Sequence, residues 1–125
     1  QFESQLVNDG YILLKFWLHI SKKEQKKRFK SIEDDPLTRW KVTALDWRNH
    51  KLYDEFYDAA ERMLVETSTH LAPWTIVEAT CLRHARKRIV ETIIENLESK
   101  LKAKGVAYTS LEERRKTFVK EVASK

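Results

Sequence analysis

The sequence predicts an α/β chain in which two parallel strands are embedded in helices. Two segments carry the strand signal. Tyr11–Ile20 is nearly continuously apolar, with β-branched and aromatic residues, and Trp74–Ala79 is similar and shorter. Such runs read as strands buried on both faces, the pattern of a parallel sheet. The third observation is the stretch between them, 21–73, which reads as helical, as a parallel crossover requires. A sheet of two strands leaves both edges open and has little stability alone. Further strands are therefore expected elsewhere, on other sequence or on another molecule. The chain begins at Gln1 rather than Met, which also reads as a cleaved or excised product.

Each element follows from local chemistry. Residues 1–7 read as a helix end closed by the turn Asn8-Asp9-Gly10, and the strand 11–20 follows. Ser21-Lys-Lys-Glu24 is a capping box, in which the Ser21 hydroxyl accepts from the Glu24 amide and the Glu24 carboxylate reaches back. The helix it opens runs to about residue 33 and stops before Asp34-Asp35-Pro36, because the residue preceding proline is pushed out of the helical region. Residues 36–42 read as a loop or short turn. Thr43-Ala-Leu-Asp46 is a second capping pattern, opening one long helix to about Glu66. Trp47, Leu52, Phe56, Ala59, Ala60, Met63 and Leu64 would form its buried stripe. A loop over 67–73 leads to the second strand. The next helix, about 82–104, would bury Ile89, Ile93, Ile94, Leu97 and Leu101, and Gly105 suits the position just past its end. Ser110-Leu-Glu-Glu113 caps a last helix over 111–123.

Composition removes several function classes. The only glycines are Gly10 and Gly105, so neither G-x-x-x-x-G-K-[ST] nor G-x-G-x-x-G can be drawn from these residues. The single cysteine, Cys81, cannot form an intrachain disulfide. His19, His50, His70 and His84 have no zinc-site spacing. The longest apolar run contains Lys15 and is too short to cross a membrane, and no signal peptide precedes it. A cytoplasmic, helix-rich protein of formal charge +5 is expected, with no membrane partner.

The charge is clustered. Lys22, Lys23, Lys26, Lys27, Arg28 and Lys30 face a single anion, Glu24. A charge run is usually a solvated helix face. Two details favour binding: Lys23, Lys27 and Lys30 share a face at i, i+4, i+7, and Arg39 and Lys41 flank Trp40 shortly afterwards. Cations that repel one another on one face suit a polyanion partner. A second cluster, Arg83, His84, Arg86, Lys87 and Arg88, follows the second strand, where ligands of open α/β sheets bind. Cations in a helix's first turn oppose its dipole unless an anion sits there. Glu33-Asp34-Asp35 has the composition of a hydrated Mg²⁺ site, but before a proline it reads better as a turn and a counter-charge for the lysines. Cys81 has cations nearby that would lower a thiol pKa but no candidate base, and reads as a bystander. The four tryptophans read as core or interface residues.

The run Phe2-Glu3…Leu6-Val-x-Asp9-Gly10…Ile12-Leu-Leu-Lys-Phe-Trp-Leu18…Ser21…Glu24-Gln25…Arg28-Phe29…Asp35-Pro-Leu-Thr-Arg-Trp-Lys41 resembles the polyphosphate kinase 2 family. Its continuation, Trp47…Tyr53-Asp54…Ala59-Ala-Glu-Arg-Met-Leu64…Glu66-Thr-Ser-Thr69…Ala72-Pro-Trp74…Ile76-Val-Glu-Ala-Thr80, looks most like the polyphosphate:AMP phosphotransferase branch. The resemblance covers about residues 1–104. It implies the C-terminal half of a P-loop kinase fold, with a mobile lid at about 21–42 and with the Walker loops outside these residues. It implies phosphoryl transfer between polyphosphate and an adenine nucleotide, with Mg²⁺ held by ligands also outside these residues.

Carried over by position, Arg28 matches the lid arginine that reaches the transferred phosphate, with Lys27 beside it. Arg39 and Lys41 match the lid's second basic segment, and Arg83 matches a position near the nucleotide base. The chain departs from the family pattern at Ile32, where many members have another arginine, and at Cys81 and His84. Residues 105–125 fall outside the resemblance and read as a helical extension or a linker toward a second domain copy.

The fragment is expected to be inactive alone and to associate with itself or with the rest of the domain. The alternative is a non-catalytic basic module that binds polyanions or nucleic acid, a partner that the family resemblance disfavours. A third reading is an assembly piece that pairs its open sheet edge.

Overall fold

The two apolar segments pair in parallel, Lys15–His19 (β1) against Trp74–Glu78 (β2), in the register Lys15↔Trp74 to His19↔Glu78. This is seen in a computed structural model that describes residues 2–123. The element order is α1 (Phe2–Asn8), β1, α2 (Lys22–Asp34), a 3₁₀ turn (Arg39–Lys41), α3 (Ala44–Lys51), α4 (Tyr53–Thr67), β2, α5 (Leu82–Ala103) and α6 (Leu111–Ala123). The chain divides into two compact units, residues 1–85 and 86–125.

β1 is half as long as the apolar run that contains it. Pro73 stands immediately before β2 and has no N–H to donate, so the ladder starts at Trp74. Residues 11–14 then have no partner opposite. Beyond the ladder, the Ala79 amide still donates to the His19 carbonyl at 2.8 Å.

Residues in register on parallel strands share a face. Lys15, Trp17, His19, Trp74, Ile76 and Glu78 therefore lie on one face, and Phe16, Leu18, Thr75 and Val77 on the other. Burial on both faces was the expectation, and it holds only in part. Val77 is 1% exposed, whereas Leu18 and Ile76 are 52% and 64% exposed. A two-stranded sheet with open edges has too few neighbours to cover both faces.

Local chemistry set the helix ends where it was expected to. At the end of α1, Tyr11 N–H donates to Leu6 O and Gly10 N–H to Val7 O, both at 3.0 Å. That is a Schellman closure, and Gly10 takes the left-handed conformation it requires (φ +89°). Gly105 (φ +66°) closes α5 by the same two bonds, from Val106 to Leu101 and from Gly105 to Lys102.

The predicted long helix over 43–66 is two helices. At Leu52 the backbone leaves the helical region (ψ 15°), and its N–H is shared between the Asn49 and His50 carbonyls. The break lets α3 and α4 face different partners. His50 Nδ1 meets Gln25 Oε1 on α2 at 2.6 Å, while Tyr53 donates its hydroxyl to Ile20 O at 2.7 Å. The predicted stripe is correspondingly incomplete. Ala60 is buried, but Phe56 and Ala59 are exposed. In α5, Ala85 and Thr92 are the buried residues; Ile89, Ile93, Ile94 and Leu101 are half-buried, and Leu97 is exposed. Within the second unit, the Glu98 carboxylate accepts the Leu111 N–H at 2.7 Å and so ties the start of α6 to α5.

Lys15, the first residue of β1, is buried (8% exposed). Its Nζ donates to Glu3 Oε2 on α1 at 2.8 Å and to the Thr67 carbonyl at the end of α4 at 2.5 Å. It also lies 5.1 Å from the Trp74 ring centroid. One ammonium thus holds α1, the C-terminus of α4 and the start of β2 against the sheet. Replacing Lys15 by Ala should cost about 2–3 kcal/mol, since it strips a charged donor from two acceptors. Glu3 is half-exposed and resolvates, so Glu3→Gln should cost about 1 kcal/mol or less. Urea unfolding of the two variants checks the order; equal losses would remove Lys15 from this role.

Candidate functional site

α2 carries Lys27 and Arg28, two of the five candidate residues, and it is held on both of its sides. Its start is capped by Ser21, whose hydroxyl accepts from the Glu24 N–H at 3.2 Å. The expected return bond, from the Ser21 N–H to the Glu24 carboxylate, is not made. Glu24 turns instead to Arg28, whose Nε donates to Glu24 Oε1 at 2.9 Å. By contrast, both bonds of the box form at Thr43/Asp46 and at Ser110/Glu113.

On its inner side, α2 packs on α3 through an aromatic cluster. Phe29 meets Trp47 edge-to-face at 5.4 Å, and His50 lies 5.6 Å from Trp47. Two polar contacts flank the cluster: Trp47 Nε1 donates to Glu33 Oε1 at 2.6 Å, and Gln25 meets His50. Asp35 accepts the Leu37 N–H at 2.9 Å in an Asx turn. The turn reading of Glu33-Asp34-Asp35 thus holds for Asp35 only: Glu33 and Asp34 remain in α2, and among the described residues none of the three pairs with a lysine.

Arg28 crosses to the sheet. Its Nη2 donates to the carbonyl oxygens of Ala79 at 2.5 Å and Thr80 at 3.0 Å, just past the carboxyl end of β2. Three of its five N–H groups are thereby used, and the Nη1 pair has no protein partner among the described residues. Of the other carried-over residues, Lys27 is exposed and only 3.9 Å from Glu24 Oε2. Arg39 and Lys41 lie exposed in the 3₁₀ turn, with Lys41 Nζ 5.7 Å from the Trp40 ring centroid. That turn joins the far end of α2 through Thr38, whose hydroxyl donates to Ile32 O at 3.0 Å. Arg83 is exposed in the first turn of α5, a short step along the chain from the carbonyls that Arg28 holds. The fold therefore brings Arg28 to the end of β2, where Arg83 follows, and leaves Arg39 and Lys41 at the outer end of α2.

Lys23, Lys26, Lys27, Lys30, Ser31 and Asp34 share the open outer face of α2. Cys81 is exposed and Trp40 is 72% exposed, which removes the core half of the core-or-interface reading of that tryptophan. Its Nε1 donates to Leu37 O, a contact local to the turn.

Sequence reasoning missed Glu24 as the partner of Arg28. Their i, i+4 spacing was the available signal. Nothing in the sequence marks the two backbone carbonyls.

Four carboxyl and phenol groups titrate away from their ordinary values, Glu112 among them because its hydrogen bond and ion pair with Lys116 lower its pKa. The Thr43 hydroxyl, with the Thr43 backbone, holds Asp46 below the usual aspartate range. The Ser110 backbone and hydroxyl do the same for Glu113. A hydrogen bond with Glu61, together with that carboxylate's charge, raises the Tyr57 phenol.

Among the described residues no helix is long and apolar enough to cross a membrane. Two parallel strands joined by a helical crossover, with Arg28 held at the carboxyl end of β2, define part of an open α/β domain. The family described as Polyphosphate kinase 2 (PPK2) matches residues 1–105. A polyphosphate:AMP phosphotransferase of Pseudomonas aeruginosa is 46% identical over 101 residues, which is 81% of this chain and 20% of that protein. A GDP-polyphosphate phosphotransferase of Mycobacterium tuberculosis is 32% identical over 78% of this chain and 33% of its own. The crystal structure of a putative polyphosphate kinase 2 from P. aeruginosa superposes with a TM-score of 0.76 at 46% identity, over 81% of this chain and 22% of that one. The polyphosphate kinase 2 structure from Arthrobacter aurescens gives 0.73 at 32% identity, over 95% and 43%. The chain belongs to the polyphosphate kinase 2 family, and its architecture is part of that family's P-loop kinase fold. It spans about a fifth of the length of the first polyphosphate:AMP phosphotransferases it matches.

The Thr43–Asp46 cap yields a pH prediction. A carboxyl whose pKa is lowered by folding stabilises the fold above its ordinary pKa and loses that contribution as pH falls through the lowered value. The cap should therefore be intact at neutral and mildly acidic pH and open only below the usual aspartate range. Following the Asp46 carboxyl carbon by NMR should show this, and Thr43→Ala should move its midpoint upward. An unchanged midpoint would reject the hydroxyl as the main cause.

Proposed function

We propose that this chain is the C-terminal part of a polyphosphate-dependent nucleotide phosphotransferase domain. In this reading residues 1–104 complete the kinase domain, with a lid at about 21–42, and 105–125 form a helical extension or linker. The Walker loops lie outside these residues. The observation that carries the reading is the Arg28 guanidinium, fixed beside the carboxyl end of β2 with its Nη1 edge open, where ligands of open α/β sheets bind.

The reaction is in-line transfer of a phosphoryl group between polyphosphate and AMP or ADP. In the forward sense a nucleotide phosphate oxygen bonds to the terminal phosphorus as the bond to the shortened polyphosphate chain breaks. Catalysis comes from positioning and charge neutralisation. Arg28 neutralises charge on the transferred group. Lys27, Arg39 and Lys41 hold polyphosphate, and Arg83 serves the nucleotide side. Mg²⁺ belongs to the reaction in the complete enzyme. Among the described residues no group of three or more His, Cys, Asp or Glu is arranged to hold a metal ion.

A second reading, a non-catalytic polyanion-binding module, draws on the lysines of the outer face of α2. It requires sequence-tolerant nucleic-acid binding with a steep salt slope. Absence of such binding, together with a G-x-x-x-x-G-K-[ST] motif upstream of Gln1, decides for the kinase.

Two outcomes test the first reading further. In the complete enzyme, Arg28→Ala should raise the barrier by roughly 2–4 kcal/mol, by analogy with other preorganised donors. It should cost only about 1–2 kcal/mol of stability, for the two carbonyls left without a partner. Arg28→Lys should recover part of the rate, since an ammonium has no planar fork. Lys22→Ala, which removes an exposed pair with Asp54, should do far less. Wild-type kinetics for Arg28→Ala would reject the role.

The isolated 125-residue chain should be inactive with polyphosphate and AMP or ADP, and it should self-associate through Leu18, Ile76 and the open strand edges. Sedimentation velocity showing a monomer at all concentrations, or turnover by the pure chain, would contradict this.

A further inference from the structure

The structure assigns Glu24 as a positioning residue that, together with the carbonyls of Ala79 and Thr80, presets the guanidinium of Arg28. The inference rests on the reading of Arg28 as the phosphate-contacting arginine and adds how that residue is aimed.

Four observations lead to it. Glu24 forgoes the bond its position offers. At the third residue of α2, with a serine cap before it, its carboxylate should return to the Ser21 N–H, as Asp46 and Glu113 do in the two other boxes of this chain. It bonds Arg28 Nε instead, at 2.9 Å. The Glu24 side chain is only 17% exposed, so the pair is partly shielded from water. Along the same edge of the guanidinium, Nη2 is fixed by two carbonyls more than fifty residues away in sequence, so Arg28 is gripped at Nε and at Nη2. Carbonyls and a carboxylate accept only, and every group gripping Arg28 is therefore matched to a permanent cation.

The consequence is geometric. A guanidinium is planar, so fixing Nε–H and both Nη2 hydrogens fixes the direction of the remaining Nη1 edge. That edge is the part left to meet an anionic oxygen. A flexible arginine would have to be ordered during each turnover, whereas this one is ordered beforehand, which is the condition for an electrostatic contact to act without reorganisation. The carbonyl acceptors come from the end of β2 and the carboxylate from α2. The guanidinium therefore also records whether α2 is seated against the sheet. Lys27, the next residue to Arg28, lacks this arrangement: it is 80% exposed and 3.9 Å from the same carboxylate.

The test is a double-mutant cycle in the complete enzyme, with kcat and KM for polyphosphate and nucleotide and with melting temperature as control. Glu24→Ala should lower kcat by roughly tenfold to a hundredfold, the scale expected when a catalytic group is misplaced by about an ångström, with little change in either KM. Glu24→Gln keeps an oxygen that accepts from Nε and should restore most of the rate. This variant also keeps the test valid if Glu24→Ala folds poorly. In the Arg28→Ala background, Glu24→Ala should add nothing further, because the group it aims is gone. Independent, multiplying effects would overturn the assignment, as would a wild-type kcat for Glu24→Ala beside a crippled Arg28→Ala. A wild-type rate for Arg28→Ala would instead overturn the role of Arg28 itself, and with it any function for Glu24 in aiming it.

Discussion

Parallel pairing of β1 with β2 is the constraint on which the rest of the first unit depends. Strands that run the same way cannot be joined by a hairpin, so the chain must leave one end of β1 and return to the opposite end of β2. Residues 20–73 make that journey, and the contacts that hold them are concentrated at its two ends. Tyr53 is bonded to Ile20 as the chain leaves β1, and Lys15 is bonded to Thr67 as it approaches β2. Trp74 adds a hydrogen bond from its indole to the Thr67 hydroxyl at 2.8 Å. Between these anchors, α2 and α3 form their own small unit around Phe29, Trp47 and His50. The crossover is tied down through Tyr53, Lys15 and Arg28 and stiffened internally by aromatic packing.

Charge is distributed over α2 in a way its composition conceals. The helix holds six cations, yet they divide by direction. Lys22 turns to Asp54, and Arg28 turns to the carboxyl end of β2. Lys23, Lys26, Lys27 and Lys30 share the open outer face. Of these cations, Arg28 is the one held at once by its own helix, through Glu24, and by the end of β2. An arginine suits that place because its five donors lie in one plane, so acceptors along one edge still leave another free. A lysine at the same position has its three donors on one atom and offers no separate, rigidly aimed edge.

The local elements were legible because their signals are local. The capping residues Ser21, Thr43 and Ser110, the terminators Gly10 and Gly105, and the two apolar runs all act within a few residues of themselves, and each lies where the sequence implied. The break at Leu52 was not legible, because 43–66 contains no glycine or proline to mark it. It follows from His50 and Tyr53 having partners in different directions. The true length of β1 was hidden as well. An apolar run shows what a strand is made of, but the ladder is limited by its partner, here by Pro73 in front of β2.

The sequence by itself determined the α/β class, the parallel crossover, the capped and glycine-closed helix ends and the family, since these follow from periodicity, capping chemistry and a motif order spread along most of the chain. It also indicated Arg28, through the motif in which it stands. Only the tertiary structure decided what Arg28 does with its donors. The carbonyls of Ala79 and Thr80 have no side-chain identity to betray them, and the turn of Glu24 away from its own helix cap depends on where the guanidinium has been drawn. Backbone acceptors and competition between two bonds for one carboxylate are settled by distance in space, and the order of residues along the chain does not encode that distance directly.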